Sequence, residues 1–211
     1  MGTPQVYHWP VSDPDGIALL QDTAGAASLV LNGALTSTVA GSRVVVFAGI
    51  SRSVTLTSGN NLSARTFTIV GTIDGSALTV NIAGPNANTV QTTEFFSTVT
   101  SVSVNGVVLQ VSVGSGTTGK TDWFNSNWQQ AVANLAIQVD VIATTVNYSF
   151  VTTLDDVQTV PYGNLVVFTP ITAMTAATTD QLAGYTIPAR YSNITINSSN
   201  GTGQERKWDV G

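Results

Sequence analysis

Residues 53–113 read SVTLTSGNNLSARTFTIVGTIDGSALTVNIAGPNANTVQTTEFFSTVTSVSVNGVVLQVSV, and this stretch decides the fold. Apolar residues recur at every second position, as in Leu78, Val80 and Ile82, which is the period of a β-strand with one buried face. Short polar breaks lie at residues 58–61, 74–76, 84–86 and 105–106. The Asp-Gly and Asn-Gly breaks favour type I′ hairpin turns, which need positive φ at both central residues. We therefore predict short antiparallel strands that stack as two sheets or close into a barrel.

The composition favours a protein that works inside a large assembly. Hydrophobic residues make up 43% of the 211 residues and charged residues only 9%, whereas an ordinary soluble domain has roughly 25% charged residues. Charged side chains therefore cannot be the main device that keeps sheet edges apart, and we expect much of the surface to lie against neighbours. A secreted β-protein of similar composition is the alternative.

The charge balance and the missing cysteines exclude several kinds of site. The formal net charge is −5, and no Lys or Arg lies between Lys120 and Arg190. Nucleic-acid binding needs clustered cations, so we expect no nucleic-acid partner. Without cysteines there is no disulfide, thiolate nucleophile or cysteine-based metal site. We also see neither a secretion signal nor an apolar run of the ~18 residues that a membrane span requires, and so expect synthesis in a host cytoplasm and no membrane partner.

The sequence pattern divides the chain into four parts. Residues 1–27 have no period and are predicted to be an extended arm, residues 28–114 a first β-sandwich, residues 115–130 a linker with an aromatic loop, and residues 131–211 a second β-sandwich. The predicted fold class is thus all-β, with two tandem antiparallel sandwiches that are Ig-like or jelly-roll-like. Further strands are expected at residues 28–36, 44–47 (buried on both sides), 135–139, 146–152, 164–169, 171–174 and 192–196.

Three features could indicate a catalytic or nucleotide-binding site, and none of them predicts an enzyme. Residues 114–121 match the phosphate-loop pattern G-x-x-x-x-G-K-[ST], but the surrounding chain has no βαβ alternation, so an interdomain linker is favoured. Asp155 and Asp156 would point to opposite faces of a strand, which favours one pairing with a cation such as Arg190 and the other capping a turn. His8 is the only histidine. We predict no catalytic, cofactor-binding or metal-binding residue.

Aromatic residues are the candidate subunit contacts, because Trp and Tyr are enriched at interface hot spots. The candidates are Tyr7, Trp9, Trp123, Phe124, Trp128 and Trp208. Tyr7 and Trp9 lie in the arm, which either docks on a neighbouring subunit or packs on its own domain. Trp123 and Trp128 bracket a polar loop and either contact another domain or subunit or cap the second core.

Two stretches resemble modules of tailed-bacteriophage virion proteins. Residues 54–114 are similar to a β-sandwich module in which a turn like D-G-x-x-L-T precedes GPNA-x-T-V, an aromatic segment and TVTSV-x-V. Residues 146–203 are similar to a C-terminal module of other virion proteins, through Pro188, Arg190, Ile194, Ile196 and the turn at residues 199–203. The sequence departs from that module at residues 204–211, where a charged stretch replaces the expected apolar strand.

The resemblance implies a non-enzymatic component of the phage particle. We expect a capsid decoration (cement) protein of the β-sandwich family, located on the outer surface of the capsid. Its expected partners are the major capsid protein and copies of itself in a homotrimer, without a cofactor. A tail or head–tail connector component is one alternative. A carbohydrate-binding or adhesin module is another, in which Trp9, Trp123, Trp128 and Tyr185 would form an exposed aromatic row.

Overall fold

A computed structural model describes residues 5–125, 135–141, 146–186, 189–199 and 203–209. The fold is nearly all β, with 59% strand and 3% helix, so the predicted fold class is confirmed. The strands are β1 Gln5–Trp9, β2 Ala18–Thr23, β3 Ala27–Ser28, β4 Thr36–Val39, β5 Ser42–Val46, β6 Ile50–Ser58, β7 Thr66–Ile73, β8 Ser76–Ala83, β9 Thr89–Gln91, β10 Thr98–Val104, β11 Val108–Thr121, β12 Phe124–Asn125, β13 Leu135–Val141, β14 Val146–Thr153, β15 Gln181–Tyr185, β16 Tyr191–Ser199 and β17 Gly203–Asp209. Short 3-10 turns occur at Tyr162–Asn164 and Thr172–Met174.

The chain forms two compact units whose boundaries differ from the predicted ones. The inserted unit is Ser12–Gly116, and the terminal unit combines Met1–Val11 with Thr117–Gly211. The predicted arm at residues 1–27 is therefore divided between the units, and its strands are paired within the chain. β1 pairs with β17, and β2 pairs with β11. The arm was predicted to be extended and aperiodic because its partner strands are too distant in sequence to leave a local signal.

The inserted unit is built from two groups of antiparallel strands. One sheet has the order β4-β5-β10-β7-β8, with β3 added on β10. β2, β6, β9 and the first part of β11 form the second group. Alternate residues of β7 are buried, as the period of two predicts. The side chains that fill the core include Val54, Leu56, Phe67, Ile69, Val102 and Val111.

Only one of the predicted turn signals closes a hairpin. Asp74 and Gly75 have φ values of 49° and 80° and join β7 to its neighbour β8. The hairpin prediction for residues 105–106 is wrong, because β10 and β11 belong to different sheets. The side chain of Asn105 accepts a hydrogen bond from the backbone of Thr66 over 3.0 Å. This bond holds the segment in which the chain passes from one sheet to the other.

Of two other strand predictions in the inserted unit, the one at residues 28–36 is wrong, and the one at residues 44–47 is right for residues 44–46, which belong to β5, but wrong in its burial. Within residues 28–36, only Ser28 and Thr36 belong to strands. The backbone of Val30 is instead bonded to the side chain of Gln21 on both its N–H and its C=O. Residues 44–47 are not buried on both sides, because Val45 is fully buried while Val46 is 49% exposed.

The predicted linker at residues 115–130 is also wrong over its first part, because residues 108–121 form one long strand, β11. The glycines of this strand let other segments of the chain approach it closely. A Cβ on Gly114 would lie 2.1 Å from the carbonyl oxygen of Asp13, and one on Gly116 would lie 2.1 Å from Oγ of Ser53. A phosphate loop requires a loop after a strand, so this strand excludes that interpretation. Residues 126–130 lie outside the described part of the chain.

The terminal unit contains a four-stranded antiparallel sheet with the order β1-β17-β13-β15. β14, β16, β12 and the end of β11 form its second group of strands. The predicted strands at residues 135–139, 146–152 and 192–196 are confirmed. The charged residues 204–209 form a strand as well, although their departure from the virion module made a final strand doubtful.

The strands predicted at residues 164–169 and 171–174 are wrong. These residues form short 3-10 turns and irregular chain, apart from a single bridge between Phe168 and Thr152. Hydrogen bonds from side chains hold this segment in place of strand pairing. Asp155 accepts a hydrogen bond from the backbone of Val166 over 2.7 Å, and the hydroxyl of Thr153 donates to the carbonyl oxygen of Val166 over 2.7 Å.

Candidate functional site

The aromatic residues predicted as subunit contacts fall in different places. Trp9, at the end of β1, is buried, with 4% of its surface exposed. Trp123, just before β12, and Phe124, the first residue of β12, are both half-buried. Tyr7 lies in β1 and Trp208 in β17, but their side chains are outside what the structure describes, and Trp128 is outside the described residues altogether.

The aromatic row expected for a sugar-binding surface is not formed by the described residues. Trp9 and Tyr185 are both buried. The ring of Tyr185 packs edge-on against that of Phe150, with 5.8 Å between the ring centroids, so it belongs to the core of the terminal unit. Trp123, another aromatic residue proposed for this row, borders a cavity.

That cavity is a pocket of about 360 Å³ in the terminal unit, which is within the usual size range of small-ligand sites. Its floor is the face of three adjacent strands. Lys120 of β11 lies opposite Thr195 of β16, and Thr195 lies opposite Ser149 of β14. Asn193 and Asn197 flank Thr195 along β16 and line the same pocket, because alternate residues of a strand share a face.

Hydrogen bonds hold the polar side chains of the floor in place. The amide nitrogen of Asn197 donates to Oδ1 of Asn147 over 2.7 Å and to Oγ of Ser149 over 3.0 Å. The same Oγ accepts a bond from the backbone of Ala176 over 3.0 Å. These bonds use both amide hydrogens of Asn197, so its carbonyl oxygen is the remaining polar group of that side chain.

One wall of the pocket combines an aromatic ring with a buried cation. Lys120 is 1% exposed, and its Nζ lies 5.2 Å from the centroid of the Trp123 ring, within the range of a cation–π interaction. Nε1 of Trp123 is buried and has no hydrogen-bond partner among the described residues. The aliphatic part of the lining is formed by Val151, Leu165 and Val167.

The adjacent carboxylates Asp155 and Asp156 have structural contacts. Asp156 forms an ion pair with Arg190 at 2.8 Å, as predicted, and its Oδ1 accepts a bond from the backbone of Gln158 in the following turn. Asp155 accepts its bond from the backbone of Val166. Within the described ranges, no three His, Asp or Glu side chains come together in a group that could hold a metal ion.

A second feature is a set of exposed apolar side chains on hydrogen-bonded segments of the inserted unit, which we call the apolar surface. It consists of Leu19, Leu20, Val30, Val107 and Leu109, each between 44% and 63% exposed. Gln21 bonds the strand that carries Leu19 and Leu20 to Val30. Asp22 of the same strand accepts a bond from the backbone of Gln110, next to Leu109, over 2.6 Å. The five side chains therefore belong to segments that are bonded to one another.

No helix in the described part of the chain is long and apolar enough to cross a membrane.

Comparison with family models, curated proteins and solved structures found no match.

Neither feature was predicted from the sequence. The apolar surface joins residues from β2, from the chain after β3, and from β11 and the residue just before it. The pocket joins β11, β14, β16, Trp123 and the irregular residues 165–169. A signal for the pocket floor was nevertheless visible in β16. Asn193, Thr195 and Asn197 alternate there with Ile194 and Ile196, which marks one polar and one apolar face.

Proposed function

We propose that the chain is a non-enzymatic structural protein of a tailed-bacteriophage virion. In the specific form of the proposal it is a capsid decoration (cement) protein. It sits on the outer surface of the head as a homotrimer and bridges subunits of the major capsid protein. The proposal rests on the resemblance of residues 54–114 and 146–203 to virion modules, on the low charge content and on the exposed apolar surface.

The apolar surface is the observation that carries the proposal. Exposed apolar side chains that are grouped on neighbouring segments favour a contact site. Its side chains come from a strand and from segments bonded to that strand, so they are held in place before any partner binds, which lowers the entropy cost of binding. A capsid lattice offers many equivalent sites, so modest apolar contacts repeated over the shell would add up against the internal pressure of packaged DNA.

The charge distribution agrees with this location. The formal net charge is −5, which suits the outside of a shell better than the inner side that faces DNA. None of the five side chains of the apolar surface is charged, and the charged residues bonded to its segments are Asp22 and Arg65. Contact there would bury little charge and would avoid the desolvation cost that limits buried ion pairs.

Electron cryo-microscopy of virions with and without the protein tests the proposal. Density spread over the whole capsid lattice, and heads that release DNA at a lower temperature when the protein is absent, are the expected results. Density confined to a single vertex would contradict the cement proposal and favour a tail or connector component. Absence of density from every particle would overturn both virion assignments.

A pair of variants then tests the apolar surface. Leu20→Lys combined with Val30→Lys places two charges within it and should abolish decoration of heads that lack the protein. Thr79→Lys is the control, because Thr79 is an exposed strand residue of the same unit. Equal decoration by both variants would show that the apolar surface is not the capsid contact.

A further inference from the structure

We propose that two copies of the chain pair through β8, the outermost strand of the sheet β4-β5-β10-β7-β8. The two β8 strands run antiparallel across a two-fold axis perpendicular to the sheet, and they join two sheets into one. A two-fold contact cannot close a homotrimer, so this contact is separate from the trimer of the proposed function. It shares no residue with the apolar surface, and the two proposals are therefore tested separately.

The backbone of β8 bonds to β7 on one side only. The N–H of Gly84, just after β8, donates to the carbonyl oxygen of Arg65 over 2.9 Å, and the ladder continues from there without a register shift. Bonded and non-bonded pairs alternate along an antiparallel ladder. Every second residue of β8 therefore directs its N–H and C=O away from β7, where no described strand pairs with it. These residues are Ala77, Thr79, Asn81 and Ala83, and all of them are exposed.

β8 lacks the features that protect sheet edges from other strands. Natural edge strands are short, or carry charged residues, prolines or bulges. The eight residues Ser76–Ala83 include no charged residue and no proline, and their pairing with β7 has no bulge. The opposite edge of the sheet, β4, has only four residues, and the N–H of its first residue, Thr36, donates to Gly33. The edge at β8 is therefore the one suited to receive another strand.

The sequence of β8 is self-complementary in an antiparallel pair. Its last seven residues read ALTVNIA, and this series keeps its chemical classes when it is read backwards. With Val80 on the two-fold axis, Leu78 lies opposite Ile82 of the partner subunit. In the same register, Thr79 lies opposite Asn81 of the partner subunit, so that apolar residues meet apolar ones and polar residues meet polar ones. This symmetry favours a second copy of the chain as the partner, because an isologous contact places the same strand on both sides.

This register uses all of the outward backbone groups of the strand. Ala77 pairs with Ala83 of the partner subunit and Thr79 with Asn81 of the partner subunit, and the two reverse pairs follow by symmetry. Each such pair exchanges two hydrogen bonds, so the four pairs give eight bonds across the contact. A typical protein interface has about ten direct hydrogen bonds, and the backbone alone therefore supplies most of that number.

Pairing also completes the burial of an apolar face. Val80 and Ile82 lie opposite Ile69 and Phe67 of β7, which are fully buried, and Leu78 shares their face of the sheet. At the open edge, however, these three side chains of β8 are only half-buried. The proposed register places them in non-hydrogen-bonded pairs, in which opposite side chains approach most closely. Removing this apolar area from water favours association.

A pair of charge variants tests the contact and its register. Thr79→Lys combined with Asn81→Lys, the double-lysine variant, places lysines directly opposite each other on both sides of the axis, where like charges repel. Thr79→Lys combined with Asn81→Glu, the lysine–glutamate variant, is the matched control, because the same register then places opposite charges together. Both positions are exposed and lie outside the apolar surface, so both variants should fold and keep the proposed capsid contact.

Sedimentation equilibrium of the full chain, whose mass is 21.9 kDa, gives the number of copies and the dissociation constant. We expect the wild type to contain an even number of copies. The double-lysine variant should raise the dissociation constant of the two-fold contact by about tenfold, because two pairs of like charges oppose it. The lysine–glutamate variant should return that constant to about the wild-type value.

Amide hydrogen exchange, followed by nuclear magnetic resonance on the nitrogen-15-labelled chain, locates the contact. The N–H groups of Thr79 and Asn81 face away from β7, so they should exchange slowly in the paired wild type and quickly in the double-lysine variant. The N–H of Val80 faces β7 and should stay protected in both proteins.

Three results would overturn the pairing: a wild type with a single copy or an odd number of copies, an unchanged dissociation constant in the double-lysine variant, or a lysine–glutamate variant that pairs no better than the double-lysine variant. A trimer alone would overturn the pairing but agree with the trimer of the proposed function. Virions without density for the protein would overturn the cement proposal and leave the pairing in place.

Discussion

Arg52 donates a hydrogen bond from Nη2 to the carbonyl oxygen of Gly116 over 2.7 Å, and only 1% of the arginine surface is exposed. Burial lowers the pKa of Arg52 to about 10, and the nearby carboxylate of Asp13 partly opposes that shift. The guanidinium therefore stays charged at neutral pH inside the inserted unit. This contact joins β6 to β11, where a Cβ on Gly116 would clash with Ser53.

Arg52→Met should destabilise the inserted unit by about 2 kcal/mol, because it leaves the buried carbonyl of Gly116 without its charged donor. Arg65→Met is the matched control. Arg65 also donates to a backbone carbonyl, that of Val107, over 2.9 Å, but at an exposed site where water can replace it, so its loss should cost under about 0.5 kcal/mol. Urea unfolding followed by far-ultraviolet circular dichroism measures both changes, and equal costs would contradict the prediction.

Gly75→Ala should destabilise the inserted unit by about 1 kcal/mol, because Gly75 has a φ of 80° and an L-residue is strained there. An added Cβ would meet nothing within 4 Å at Gly75 or at Gly59, and Gly59 does not have a positive φ. Gly59→Ala therefore isolates the backbone effect and should be neutral or slightly stabilising. The same urea experiment compares the two variants, and a neutral Gly75→Ala would show that the turn tolerates a side chain.

The ion pair between Asp156 and Arg190 should contribute little as a pair, because both side chains are partly exposed, at 26% and 33%. A double-mutant cycle with Asp156→Ala and Arg190→Ala should give a coupling free energy below about 1 kcal/mol. Asp156→Ala alone should cost more than Arg190→Ala, since Asp156 also accepts the backbone N–H of Gln158. Tryptophan fluorescence is a suitable probe, because all four Trp residues belong to the terminal unit. A coupling well above that value would contradict the prediction.

Alkaline pH should weaken the terminal unit through Tyr148. Burial first, and the carboxylate of Asp180 second, raise the pKa of Tyr148 above its ordinary value of 10.0. Its hydroxyl donates to the carbonyl oxygen of Thr179 over 2.8 Å. The stabilisation is complete below the unfolded pKa and is lost as pH rises through the folded pKa, because the unfolded chain releases its proton first.

Tyr148→Phe should therefore lower the free energy of unfolding by about 1 kcal/mol at pH 7 and reduce its decline above pH 10 by up to about 1.4 kcal/mol per pH unit. Arg52 acts in the opposite direction over part of that interval, since its pKa is lowered, but it is present in both proteins. Fluorescence-monitored urea unfolding between pH 8 and about 11.5 measures the difference. Parallel pH profiles would contradict the prediction.

Local patterns were sufficient to predict part of the fold. The alternation in residues 146–152 and 192–196 predicted β14 and β16, since the period of two directly reports one buried face. The Asp74-Gly75 turn was also predicted, because positive φ is a local requirement. The opposite directions expected for Asp155 and Asp156 predicted that one of them pairs with a cation such as Arg190, and Asp156 does so.

Contacts between distant residues could not be predicted in this way. Trp9 lies opposite Gly203 in the pairing of β1 with β17, and nothing near either residue specifies the other. Gly114 and Gly116 suggested a flexible linker, whereas their lack of a side chain permits close packing against other strands. Lys120 was predicted to lie in an interdomain linker. Its place beside Thr195 depends on strand register, which is not a local property.

The position of β17 has a consequence for the nascent chain. β17 lies between β1 and β13, so β1 has no neighbour in its sheet until residues 203–209 have left the ribosome. By then the inserted unit, complete at Gly116, has long had all of its strands. Synthesis therefore finishes the middle of the chain first, and residues 5–9 gain their partner strand only when the last part of the chain has been made.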